Sequence, residues 1–130
     1  MRYLLDTDTC IFLFRNAGSV AERLKDVGIN NCCISEITKA EILVGLNLST
    51  RNDKQKAAAR CFLESVETIP VTNAIDLYAR EKARLIKAGL SIEDFDLLIG
   101  CTAIQSNSII VTHNTAHLSR ITGIVCEDWA

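Results

Sequence analysis

Acidic residues stand where apolar runs of this 130-residue sequence begin or break, and that placement points to chemistry. Asp6 closes the apolar opening RYLLD, with Asp8 two residues further on. Glu41 is the one acid between Ala40 and Leu46, and a lone carboxylate is costly to bury. Asp96 runs directly into Leu97, Leu98 and Ile99, and Asn114 follows two residues after the apolar run SIIVT. Carboxylates brought together with no Lys or Arg between them repel one another strongly. A divalent cation removes that conflict, and hard oxygen ligands suit magnesium, with manganese as a substitute. Such an ion binds through a few carboxylates, waters and a substrate phosphate, so phosphate chemistry is the class to test.

Each residue also has a plainer account. Asp6 could open a turn, and Asp8 could cap the following helix, the preferred account of that residue. Glu41 completes Thr38-x-x-Glu41, which has the form of a capping box. Asp96 could serve the helix dipole, although Ser91 and Asp94 already form a box there. Asn114 is a common loop residue.

These residues can meet only if the elements carrying them are suitably ordered. RYLLD reads as a buried strand over roughly residues 2–6, NCCIS as a second near 31–35, TIPVT as a third at about 68–72, and SIIVT (108–112) as a fourth. GIVCEDW offers a short edge strand. Helices are expected over TCIFLFRN, over SVAERLKDV behind a Ser19 cap, and from about Ser35 to Leu48 as a largely buried helix. Another follows behind Asn52. NAIDLYAREKARLIKA begins at Asn73, places Ile75, Tyr78, Ala79, Lys82, Leu85 and Ile86 near one face, and stops at Gly89. FDLLIGCTAIQS is apolar all round and predicts a buried helix, and HNTAHLSRI a loop with one or two helical turns. Alternating strands and helices predict an α/β fold: a mostly parallel central sheet of four to five strands with helices on both faces. In such a sheet, ligands bind beyond the carboxyl ends of the strands, where Asp6 and Asn114 fall.

Length is that of one domain, residues 1–130, with no internal repeat or linker. Fourteen Lys and Arg against sixteen Asp and Glu exclude a generic basic nucleic-acid coat, so any contact with RNA must use a local patch or a metal. Arg80, Lys82, Arg84 and Lys87 form one basic group, and Arg51, Lys54, Lys56 and Arg60 another; Arg15 and Arg120 are further candidates. For each group a solvated, ion-paired helix face is the competing account. The opening apolar stretch is broken by Asp6 and Asp8 and reads as no secretory signal, and no run is long enough to span a membrane. Six cysteines with no C-x-x-C pair are expected to be reduced core residues of a cytoplasmic protein. His113 and His117 share i, i+4 spacing but lack the acid and third ligand of a zinc motif. Tyr3, Tyr78 and the four Phe are read as core, and Trp129 as contacting a neighbouring surface.

The chain resembles the PIN-domain ribonucleases, and most closely the VapC-type toxins of toxin–antitoxin pairs. The likeness runs through YLLDTDTCIFL, ISEITKAEILVGL, SIEDFDLLIGCTAI, IIVTHNTAHLSRITGI and the closing EDW. It implies a three-layer PIN-like fold and a magnesium-dependent endoribonuclease acting on a structured RNA such as tRNA. By position, Asp6, Glu41 and Asp96 become the acidic metal site, with Thr112 and Asn114 completing the pocket wall. Asp6 and Asp96 would ligate the ion, Glu41 would bind it directly or through water, and Asn114 would position substrate or water. The resemblance further implies a VapB-type antitoxin as partner and a homodimer. Asn114 stands where many PIN domains carry a fourth acid, and Asp8 where many VapC-type toxins have Asn.

Two other functions fit parts of the sequence. LLDTDTC approaches the Asp-x-Asp-x-Thr opening of a haloacid-dehalogenase-like phosphatase, with Cys10 in the final position and no later Lys or acid pair to complete it. The neutral Asn114 is also compatible with a non-catalytic PIN-fold binding module.

Overall fold

The computed structural model describes residues 1–48 and 52–130. Its five strands are β1 (Arg2–Leu5), β2 (Cys32–Ser35), β3 (Glu67–Ile69), β4 (Ser108–Val111) and β5 (Cys126–Glu127). All pairings are parallel, in the order β3-β2-β1-β4-β5. Among the described residues seven α-helices connect them: α1 (Thr7–Phe14), α2 (Val20–Val27), α3 (Glu36–Asn47), α4 (Asp53–Ser65), α5 (Ile75–Ala88), α6 (Asp94–Gln105) and α7 (Thr115–Leu118).

The strands are too apolar to alternate because both faces of the sheet are covered. Successive side chains feed opposite cores. Leu4, Cys33 and Ile110 pack with Leu85, Leu97, Ile99 and Leu118 on one side. Leu5, Cys32, Ile34 and Val111 pack with Cys10, Phe14, Val20, Ile42 and Phe62 on the other. The result is the three-layer arrangement expected from the order of elements. From β1 the chain winds outward through β2 and β3, then crosses back to place β4 on the other side of β1. That reversal opens a crevice beyond the carboxyl ends of β1 and β4, the usual ligand position of open parallel sheets.

Local signals explain some boundaries. The Asn52 side chain caps α4 by accepting from Gln55 N–H at 2.8 Å. Gly89 ends α5 in the left-handed region (φ 70°), where its own N–H and that of Leu90 close onto Ile86 and Leu85. As expected, α6 is buried on most sides, at Leu97, Ile99, Gly100, Cys101, Thr102 and Ala103. Among the described residues no helix is long and apolar enough to cross a membrane.

Several expectations need correction. Asp6, not Asp8, caps α1: its Oδ1 accepts from Thr7 N–H at 2.8 Å. Ser35 caps α3, so Thr38 and Glu41 form no capping box. Ser91 does not cap α6, whose cap position is Glu93. Pro70 ends β3 early, and a 3-10 turn at Thr72–Ala74 precedes α5, which begins at Ile75 rather than at Asn73. α3 is not largely buried, because Leu43 and Val44 are exposed. On α5, Ile75 and Ile86 face outward while Glu81 and Leu85 are buried. Trp129 is a core residue packed against Tyr3, with ring centroids 5.3 Å apart. Phe95 is exposed rather than core. The described cysteines form no disulfides; four are buried, Cys126 is half-buried and Cys61 is exposed.

Candidate active site

The carboxyl ends of β1 and β4 are joined directly by side chains. Asp6 follows the last residue of β1 and is 4% exposed. Its Oδ2 accepts a hydrogen bond from the Thr112 hydroxyl at 2.8 Å, while Thr112 Oγ1 accepts from Asn114 N–H at 3.0 Å. Thr112 is itself held by its N–H to the Glu127 carbonyl at 2.9 Å. The strand-end acid of β1 is therefore oriented by the segment leaving β4, and that segment by β5.

Thr7 links this centre to α3. Its hydroxyl donates to Glu41 Oε1 at 2.7 Å and lies 3.0 Å from the hydroxyl of buried Thr38. Glu41 Oε2 makes no hydrogen bond among the described residues. Asp8, in the first turn of α1, accepts from His113 N–H at 3.2 Å and so ties α1 to the loop after β4.

Asp96 lines an open cavity of about 390 Å³ with Ser91, Ile92, Glu93, Asn114 and His117. The neighbouring acid Asp94 turns the other way, accepting from Tyr78 at 2.9 Å and pairing with Lys82 at 2.9 Å on α5. Helix geometry divides the acids of SIEDFD: Glu93 and Asp96, three apart, share the cavity side, and Asp94 does not. On the opposite wall Asn114 Oδ1 lies 2.8 Å from His117 Nδ1.

Electrostatics shows how these acids interact. Burial, and next the charge of Asp8, raise Asp6 from an ordinary 3.8 to about 7; Asp96 adds to the rise, and the bonds from Thr112 and Thr7 oppose it. Asp8 is raised chiefly by burial. Asp96 is raised by burial, then by Glu41, Glu93 and Asp8. Asp6, Asp8, Glu41, Glu93 and Asp96 are thus within electrostatic reach of one another. The cationic influences on Asp8 and Asp96 are imidazoles, His113 and His117 respectively. Among the described residues no three His, Cys, Asp or Glu side chains close into a ready-made metal cluster. The neighbouring charges that raise Asp6 and Asp96 oppose closer approach of the acids, and a cation bound among them would offset that repulsion. An all-oxygen donor set of this kind suits magnesium or manganese.

The sequence-predicted residues Asp6, Glu41, Asp96, Thr112 and Asn114 therefore all belong to one electrostatically or hydrogen-bonded group. Sequence reasoning missed Thr7 and Glu93, and considered His117 only as half of an incomplete zinc motif. The i, i+3 spacing of Glu93 and Asp96 carried a usable signal; nothing in the sequence marked the bond from Thr7 to Glu41. The basic groups are less free than their spacing suggests. Lys82 pairs with Asp94 and Arg84 with Glu81. Arg120 is bonded to the Ser91 carbonyl. Lys54, Lys56 and Arg60 make no ion pair among the described residues, and Arg51 lies outside those residues.

Fold and site together define an α/β protein of the open parallel-sheet class, with an acidic crevice where strand order reverses. Residues 3–124 match the model of the PIN domain. The chain is 30% identical to the tRNA(fMet)-specific endonuclease VapC of Shigella flexneri, covering 100% of this chain and 99% of that one. It is 33% identical to ribonuclease VapC1 of Haemophilus influenzae strain R2866, over 99% and 98%. A crystal structure of DNA-bound VapBC from Salmonella typhimurium superposes with a TM-score of 0.89 at 30% identity, covering 100% of this chain and 99% of that chain. The chain belongs to the PIN-domain family and, within it, to the VapC endoribonucleases. That membership sets aside the haloacid-dehalogenase alternative.

Proposed function

We propose that this chain is the toxin of a type II toxin–antitoxin pair and hydrolyses phosphodiester bonds of a structured RNA with magnesium at the acidic crevice. The observation that carries this reading is the convergence of buried and half-buried carboxyls on the β1–β4 switch point, with Asp6 raised to about 7. Asp6 and Asp96 would hold the ion, with Glu41 binding it directly or through water; manganese would substitute. When bound, the ion supplies charge shielding for the phosphodiester and a water of lowered pKa. Thr112 and Thr7 N–H fix both oxygens of Asp6. Thr7 fixes one oxygen of Glu41 and leaves the other available to orient the attacking water. Asn114, on the cavity wall opposite Asp96, would position substrate or water. Attack by water on phosphorus breaks the bond to the 3′ oxygen, leaving 5′-phosphate and 3′-hydroxyl ends.

The Shigella relative is named for one transfer RNA, and that supports tRNA as the substrate class. The Salmonella structure is one of VapBC, which supports a VapB-type antitoxin as partner; the acidic edge is the surface it would cover. Exposed Ile86, Leu90 and Phe95, around the turn from α5 to α6, are compatible with a homodimer. The neutral Asn114 favours one firmly held ion over two.

Incubation with total RNA in magnesium tests the reading, with chelator and Asp96→Asn as controls. Discrete fragments bearing 5′-phosphates are expected from the wild type alone. Fragments that persist with Asp96→Asn would refute the site assignment.

A further inference from the structure

The acidic cavity has two walls from separate parts of the chain. One is the turn and first helical turn at 91–96, and the other is 114–117 at α7. Arg120 reaches both. It follows His117 by three residues, and its guanidinium Nη1 donates to the Ser91 carbonyl at 2.6 Å.

Arg120 is itself held in place. Its carbonyl accepts from Arg84 Nη2 at 2.6 Å. Arg84 makes a two-pronged ion pair with Glu81, both contacts at 3.0 Å, and Glu81 Oε1 also accepts from Thr122 N–H at 2.7 Å. The Glu81–Arg84 pair in the middle of α5, with the Glu81 side chain 8% exposed, therefore grips the backbone on both sides of Ile121, Arg84 at the Arg120 carbonyl and Glu81 at Thr122 N–H. Ile121 in turn packs on α6 at Gly100, where an added Cβ would lie 2.3 Å from Ile121 Cδ1. Both walls are anchored to the helices beneath them, and one side chain crosses between them.

We infer that Arg120, held by the Glu81–Arg84 pair, is a positioning residue that sets the separation of the two cavity walls and so places Asp96 for the cation. The inference rests on the proposed magnesium site. In this role Arg120 acts through the 91–96 wall rather than on substrate or ion. Its guanidinium matches a backbone carbonyl at fixed distance, and partners outside the ligand set commonly change metal affinity tenfold or more. The bond of its guanidinium to Ser91 also distinguishes it from a cation free to grip RNA.

Two measurements on the whole chain test this: calorimetric titration with magnesium alone, and steady-state cleavage of bulk tRNA. Arg120→Ala should weaken magnesium binding by roughly tenfold to a hundredfold. It should lower kcat while KM for RNA stays near the wild-type value. Arg120→Lys, which keeps the charge and stem, should fall between the two and serves as the readout if the alanine variant does not fold. Wild-type magnesium affinity and kcat in these variants would overturn the inference. So would a raised KM with unchanged magnesium affinity, which would make Arg120 an RNA contact. Asp96→Asn separates the two levels: if it binds magnesium like the wild type, the site reading fails whatever Arg120 does.

Discussion

Replacing Asp6 by Asn should stabilise the cation-free protein while abolishing its response to magnesium. Asp6 ionises at 3.8 in the unfolded chain but only at about 7 when folded. Between these values the folded state holds the proton and the unfolded state does not, so wild-type stability falls as pH rises from about 4 to about 7 and is level above. At pH 8 the loss is roughly 4 kcal/mol, at about 1.4 kcal/mol for each pH unit. Asn retains an acceptor for Thr7 N–H but presents a donor toward Thr112, which returns about 1–2 kcal/mol of that gain. A net stabilisation of about 2 kcal/mol raises the thermal midpoint by roughly 6–10 °C for a chain of this size. The assay is thermal unfolding by circular dichroism in chelator from pH 4 to pH 8, repeated in magnesium. The gap between variant and wild type should open as pH rises. Magnesium should raise the wild-type midpoint and leave that of the variant unmoved. A variant less stable than the wild type at pH 8 in chelator would refute the reasoning, because the acids would then not be in conflict.

Glu81 should behave in the opposite sense. The Arg84 pair, with help from Thr122, lowers it to about 2, so its contribution is present above about 4.5 and is lost as pH falls toward 2. Acid titration of unfolding should show that loss in the wild type and not in Glu81→Gln, which should be about 1–3 kcal/mol less stable at pH 7. Thr112→Val orphans a lone pair of buried Asp6 and the Asn114 N–H; chemical denaturation should report a loss of about 1–3 kcal/mol, and calorimetry weaker magnesium binding. Gly100→Ala gains about 1 kcal/mol of helix propensity but crowds Ile121, Leu118 and Ile124, an overpacking of about 1–3 kcal/mol. Denaturant midpoints should show a net loss that Ile121→Val in the same chain recovers. Thr7→Val should lower the cleavage rate by roughly tenfold or more by freeing Glu41, with stability little changed.

The linear order of residues determined the architecture. Runs such as YLLD, CCIS and SIIV are too apolar to have a wet face, so their strands had to be parallel and covered on both sides. Asn52 and Gly89 marked helix ends through local bonds that need no tertiary partner. The acids at Asp6, Glu41 and Asp96 stood out because each interrupts apolar sequence. Tertiary structure decided what local patterns left open. Two boxes of capping form, at Thr38 and at Ser91, were not used, because Ser35 and Glu93 took the cap positions as the chain left its strand or turn. Periodicity alone did not show which face of α5 would be buried, since Glu81 goes inward only because Arg84 and Thr122 complete its hydrogen bonds. The bonds from Thr112 to Asp6 and from Arg120 to Ser91 span 106 and 29 residues. Contacts of that range depend on strand order and loop docking, which no local window of sequence contains.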